Sequence, residues 1–245
     1  MALGLSTDWA TAREREFSLP HPPVSITVFL TLEAAIAAAW GILHTNPPRA
    51  FNPKTAKETD FTTHLHEILQ DHLLDSDQVD GFTSEVFTNI TRPEVRNFDG
   101  KKTSKKPDMV AFLADRPNVK RSQDGIFVEC KPVDAAHSLL TDYCDSGIVR
   151  FVVGDYAWRM TQALMVGYNS IHQKPSLALV KPLAQRVTSA RASGKPRDCK
   201  VSVNEPAIAI TRHKRPFRIC GKRAARITLR HIWLLPPGSF SKNEA

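Results

Sequence analysis

Cysteine is scarce in this chain of 245 residues, with four in all: Cys130, Cys144, Cys199 and Cys220. They form no C-x-x-C pair and no paired metal spacing, which argues against a disulfide framework and against a zinc site. Unpaired thiols suit a reducing compartment, so the expected localisation is cytoplasmic. Glycine is sparse too, at 11 residues. It builds no nucleotide-binding loop and no convincing G-x-S-x-G elbow. Internal repeats are lacking, which excludes a solenoid or propeller. Long apolar runs are nearly lacking as well. The exception is residues 24–43, long enough to be tested as a membrane span. Glu33 stands in its middle, where an unpaired charge costs about 2.5–3.5 kcal/mol on the insertion scale. No basic cluster directly precedes the run, which makes a poor signal peptide. The reading is a buried helix with Glu33 on its exposed stripe and no membrane partner; a membrane-tethered protein is the competing reading.

Hydrophobic content of 42% and charged content of 24% are those of a globular protein. The net charge of +8 is unevenly spread. Residues 174–230 hold 15 Lys or Arg against Asp198 and Glu205, which is +13 and leaves −5 for the rest. Such asymmetry suggests a basic surface for a polyanion, nucleic acid being the commonest. A solvated basic tail would look the same by charge alone.

Two apolar runs in the middle of the chain carry the chemistry. The first follows Lys105-Lys106-Pro107-Asp108 and runs Met109-Val110-Ala111-Phe112-Leu113. The second is Ile126-Phe127-Val128-Glu129-Cys130-Lys131. A polar connection ending in Asp124-Gly125 joins them, the pattern of two adjacent strands. Strand side chains alternate, so Glu129 and Lys131 share one face and Cys130 takes the other. Antiparallel pairing would bring Asp108, Glu129 and Lys131 to one edge. Two carboxylates suit Mg²⁺, which keeps several waters when few protein oxygens hold it. An ammonium beside them can orient or deprotonate water, or hold a phosphate. An exposed, salt-bridged sheet edge is the bland reading of the same residues.

Pro107-Asp108, then Glu129-Cys130-Lys131, resembles the signature of the PD-(D/E)xK nucleases, the restriction-endonuclease-like superfamily. The resemblance covers roughly residues 58–181. It implies an α/β fold, a mixed central sheet flanked by helices with an αβββαβ core. It also implies Mg²⁺-dependent cleavage of nucleic acid, DNA ahead of RNA, with a restriction, phage-defence or mobile-element role by analogy. Asp108 and Glu129 would hold the metal and Lys131 would position or activate water. Members often add an acid from the first core helix. Glu58 is the candidate there, its bland alternative being a capping box with Thr55. Glu85, on a strand expected over residues 82–90, is the rival. A non-catalytic nucleic-acid-binding protein that keeps the fold is the alternative function. A homodimer is left open.

Substrate contacts are expected from the lysine loop, at Lys105 and Lys106. A helix expected from Tyr156 to about Asn169, capped by Asp155, would offer Arg159 and Gln162. A further strand is expected over residues 175–180. The division is an arm and apolar helix (1–52), a nuclease core (53–181) and a basic extension (182–245) within the same domain. The extension carries strands over residues 207–211 and 227–235, with His213 and Arg215 as candidate substrate contacts between them.

Overall fold

A computed structural model of the chain describes residues 19–49, 51–53, 55–116, 123–134, 136–168, 197–200 and 207–235. Among them, seven strands form one sheet in the order β1 (Phe87–Thr91), β2 (Met109–Leu113), β3 (Ile126–Pro132), β4 (Gln162–Tyr168), β9 (Ile227–Leu234), β6 (Ala207–His213), β5 (Arg197–Lys200). A separate ribbon pairs β7 (Arg218–Ile219) with β8 (Lys222–Arg223). β1, β2 and β3 are antiparallel neighbours, whereas β3, β4 and β9 run parallel. β9 and β6, then β6 and β5, are antiparallel again. The fold is therefore mixed α/β. The segment 207–234 is no appendage: β9 lies against β4, inside the sheet.

Helices cover both faces. α1 (Ile26–Thr45) is alanine-rich, which favours helix, and Ser25 caps it by accepting from the Val28 N–H at 3.4 Å. Its length and composition alone would let it cross a membrane. Here Phe29, Leu32, Ile36, Trp40 and Leu43 are buried in the core, each worth roughly 1.5–3 kcal/mol. Glu33 is not on an exposed stripe. It is 4% exposed and accepts from Arg230 of β9 at 2.5 and 2.8 Å, so its charge is offset where it is buried.

α2 (Glu58–Glu67) follows, continuing into a π-helical turn, π1 (Ile68–Leu73). Its N-terminal box differs from the Thr55 arrangement: Lys57 is the cap, and its N–H donates to Asp60 Oδ2 at 3.2 Å. The first strand is shorter than expected, because residues 83–86 turn before Phe87.

The largest departure follows β3. The π-helix π2 (Leu139–Ile148) leads into α3 (Val149–Val153), and Gly154 ends it in the left-handed conformation at φ +77°. Residues 154–161 are loop, and Gln162–Tyr168 is a strand. The helix expected over residues 156–169 is thus wrong. Ala163, Leu164, Met165 and Val166 are all fully buried, and a strand buried on both faces shows no alternation to reveal it. The strand expected over residues 175–180 lies outside the described residues.

Candidate active site

β2 and β3 pair with Met109 opposite Val128, which brings the residue before β2 to the second half of β3. Asp108 Oδ2 accepts the Cys130 N–H at 2.7 Å. Alternation then sets Glu129 and Lys131 on the face away from Cys130. Glu129 lies inside β3 rather than at its end, and it is fully buried. Tyr156, in the loop after α3, donates its hydroxyl to Glu129 Oε2. Oε1 lies 2.9 Å from Arg150 Nη1 and 3.2 Å from Lys131 Nζ. These are charge contacts without the direction of a hydrogen bond, so Oε1 keeps an unused acceptor site. Lys131 Nζ donates to Glu58 Oε1 at the first residue of α2.

Close approach makes room for this cluster. Gly147 of π2 lies over the Lys131 stem, where an added Cβ would stand 3.3 Å from Lys131 Cγ and 2.9 Å from Met165 Cε. The glycine lets the helical cover sit on β3 and β4 without pushing Lys131 aside. Four elements therefore meet: the N-terminus of α2, the start of β2, the middle of β3, and α3 with its following loop.

Burial and mutual repulsion shape the electrostatics. Desolvation, then the Asp108 charge, raise the Glu129 carboxyl to about 7, against the pull of Lys131 and Arg150. Asp108 is also raised, first by desolvation; Lys131 and the Cys130 N–H pull it back. Burial alone would lower the Lys131 ammonium, but Glu129 and Glu58 outweigh it and the net shift is upward. Lys131 therefore stays charged at neutral pH. Three acids face two bases, one negative charge in excess when all are ionised. An added cation would relieve both raised carboxyls.

No protein-family model, curated protein or solved structure matches the chain.

The donor set can be tested against Mg²⁺ from these residues. Among the described residues no cluster of three or more His, Cys, Asp or Glu side chains stands ready as a metal cage. What fits is a pair, Asp108 and Glu129 with its unused Oε1, with Glu58 set apart as a third acid behind the Lys131 bridge. Mg²⁺ is commonly bound by one or two carboxylates with water completing the shell, which this set allows.

The remaining candidates fall elsewhere. Lys105 pairs with Asp155 at 2.7 Å and Lys106 with Glu94 at 2.6 Å, so the lysine loop is tied to the loop after α3. Asp155 caps no helix. Glu85 is exposed in the turn before β1 and makes no contact with the cluster. Gln162 opens β4, and its Oε1 accepts the Val24 N–H at 2.7 Å, a structural tie. Arg159 is in the loop, buried against Trp158. His213 is fully buried and shares Thr211 Oγ1 at 2.6 Å, which removes it from any surface. Arg215 is buried as well, donating to the carbonyls of Ala225, Ala157 and Met160 at 2.6, 3.1 and 2.7 Å. It clamps the loop from inside.

Two members of the cluster escaped the sequence reading, Arg150 and Tyr156. Arg150 had a signal: a lone cation inside Ile148-Val149-Arg150-Phe151-Val152-Val153 must find an acid once that segment is buried. Tyr156 had none, because its role depends on where a loop turns.

Proposed function

We propose that the chain is a Mg²⁺-dependent nuclease of the PD-(D/E)xK kind, hydrolysing phosphodiester bonds of nucleic acid. One observation carries the reading. Asp108, Glu129 and Lys131 converge from adjacent antiparallel strands, with Glu58 of the preceding helix beside them. The order α2, β1, β2, β3, π2–α3, β4, with its antiparallel triplet and parallel fourth strand, supports an αβββαβ core. DNA is favoured over RNA, and a restriction, defence or mobile-element setting suggested, by analogy with the superfamily.

When bound, a divalent ion supplies positive charge beside the scissile phosphate and makes water easier to deprotonate. Asp108 and Glu129 are the residues to hold it, Glu58 the third. Lys131, as a persistent ammonium, orients water or a phosphate oxygen by donation; it does not take the proton. Arg150 limits the repulsion between the acids.

The competing reading is a nucleic-acid-binding protein without catalysis. It is favoured by the way Lys131 and Arg150 already offset two of the three acids, leaving a cluster that stands without metal. Supercoiled plasmid, single-stranded DNA and RNA, each incubated with the purified protein in Mg²⁺ and in EDTA, separate the two. Cleavage in Mg²⁺ that stops with EDTA supports the nuclease. Salt-sensitive binding with no cleavage in any arm supports the binder.

A further inference from the structure

A second polar feature lies on the loop that leaves the candidate site. Arg159 is 5% exposed, and its Nε is sealed from solvent with no hydrogen-bond acceptor. Its guanidinium stacks on Trp158, with Cζ 4.6 Å from the ring centroid. Arg96 comes over the same ring at 5.5 Å. Trp158 is fixed by donating Nε1–H to the Arg96 carbonyl at 3.1 Å. Among the described residues no carboxylate pairs with either arginine. Asp124, whose charge acts on the same His21 as Arg159 does, is taken by Arg116 at 2.6 Å. The His21 backbone N–H donates to the Arg159 backbone carbonyl at 2.9 Å, and the buried His21 Nε2 also lacks a partner.

The neighbouring Arg215 shows what a settled buried arginine looks like here. Its donors reach four backbone carbonyls, those of Ala225, Ala157, Trp158 and Met160. Arg159 has no such set. Two cations drawn to one aromatic ring, one of them buried with an unused donor, repel each other, and an anion within reach of both would relieve that repulsion. Burial and the Arg96 charge both push the Arg159 guanidinium downward, in keeping with a missing counter-ion. Arg96 is exposed, so an anion can approach from its side.

Location suggests which anion. Arg159 is three residues beyond Tyr156, whose hydroxyl holds Glu129. The chain advances at most about 3.6 Å per residue, so the two Cα atoms are within about 11 Å. Phosphates of one strand recur every ~3.4 Å along a duplex axis. A strand cut at the acids would thus carry a phosphate past Arg159 within a few nucleotides.

We propose that Arg159 and Arg96, braced on Trp158, form a phosphate site that takes one backbone phosphate of the nucleic acid a short way from the cleaved bond. The inference rests on the nuclease reading, so its test avoids cleavage. Binding of fluorescein-labelled duplex and single-stranded oligonucleotides is measured in EDTA across a salt series, for wild type, Arg96→Gln and Arg159→Met. Cleavage in Mg²⁺ is scored separately on the same preparations. Each variant is expected to bind several-fold more weakly, with the log–log salt slope reduced by about 0.9 for duplex or about 0.7 for single strands. Arg159→Met should also raise the melting temperature of the ligand-free protein, because an unpaired buried charge is removed. Unchanged affinity and slope in both variants overturns the proposal, and leaves the nuclease reading standing if wild type still cleaves. A lower melting temperature for Arg159→Met, with Arg96→Gln binding as wild type, also overturns it and makes Arg159 a packing residue. Inorganic phosphate is the control ligand. If it stabilises wild type but not Arg159→Met while oligonucleotide binding is unaffected, the site takes free anions and the backbone assignment fails.

Discussion

Glu129 and His231 stand side by side on one face of the sheet, with Met165 alone between them in register. Both lie under π2, and both are fully buried. Their surroundings differ in kind. His231 belongs to a neutral chain: its Nδ1 meets the Tyr143 hydroxyl at 2.9 Å and its Nε2 meets Thr211 Oγ1 at 2.7 Å. Glu129 sits among charges of both signs, with an oxygen left over. A buried polar group that is fully bonded specifies packing. One that is charged, crowded and incompletely bonded is where a cation or a reaction belongs. One strand's width separates a structural polar network from a chemical one.

Substitution breaks the comparison most directly. Asp108→Ala, Glu129→Ala and Lys131→Ala should each lower Mg²⁺-dependent cleavage by on the order of 10³-fold or more, and double variants should be hardly worse, since such groups act as a unit. Removing Asp108, whose charge repels Glu129, should cost the metal-free protein little, whereas removing Glu129 leaves the Tyr156 hydroxyl and two cations without their shared partner and should destabilise it. Lys131→Ala should retain metal binding. Cleavage assays beside thermal melts with and without Mg²⁺ check this; wild-type rates in all three would remove the site from the mechanism.

The opposite pattern is expected at His231. His231→Ala leaves the Tyr143 hydroxyl and Thr211 without their shared partner and opens a cavity. It should cost about 2–5 kcal/mol in a urea melt. Metal affinity of the folded fraction, measured by calorimetry, should stay that of wild type. A large change there would join the two clusters into one.

Protons sharpen the contrast. Glu129, raised to about 7 chiefly by burial, keeps its proton in the fold over a range where the unfolded chain has released it. Its contribution is present below the ordinary value near 4.5 and is lost as pH rises through about 7, on the order of 3 kcal/mol in all. Burial pushes His213 down to about 4 and His231 to about 3. Their contribution is present above the ordinary 6.5 and is lost as pH falls through those values. Between about 4.5 and 6.5 the clusters therefore pull in opposite directions. Metal-free Glu129→Gln should uncover the acid-side loss alone, giving a steeper fall in stability from pH 6.5 downward than wild type. Superimposable profiles would refute the raised carboxyl. Mg²⁺ affinity of wild type should climb with pH and level off near 7, because metal must displace that proton.

The smallest effect expected is at the third acid. Glu58→Gln should weaken Mg²⁺ binding by roughly 10-fold, the scale of a supporting ligand. Glu85→Gln, exposed and remote, should change nothing. A metal titration in which Glu85→Gln is the weakened variant would reverse the assignment.

Legibility in the sequence followed the physics of each segment. The β2–β3 pair could be read because two apolar runs bracket turn residues, and the alternation of Glu129, Cys130 and Lys131 needs nothing beyond a strand's period. α1 was readable from composition, but Glu33's direction was not, since its partner Arg230 is remote in sequence. β4 was misread because Ala157, Met160, Leu164 and Tyr168 also match a helical stripe, and burial on both faces hides the strand period. That misreading carried Arg159 and Gln162 onto a helix that does not form. His213 and Arg215 drew notice as members of a basic run, although local charge density does not report which side chains turn inward.

The Glu33–Arg230 pair sets an order on the chain's birth. The two residues are 197 positions apart. At synthesis rates of about 5–20 residues per second, the acid in the first helix waits roughly 10–40 s for its cation. Until then α1 has a carboxylate it cannot bury, and β4 has an open edge where β9 will lie. The cluster at Glu129 is thus carried by a sheet whose inner strands close only once β9 has been made, so nascent chains halted before β9 should be the ones that chaperones hold.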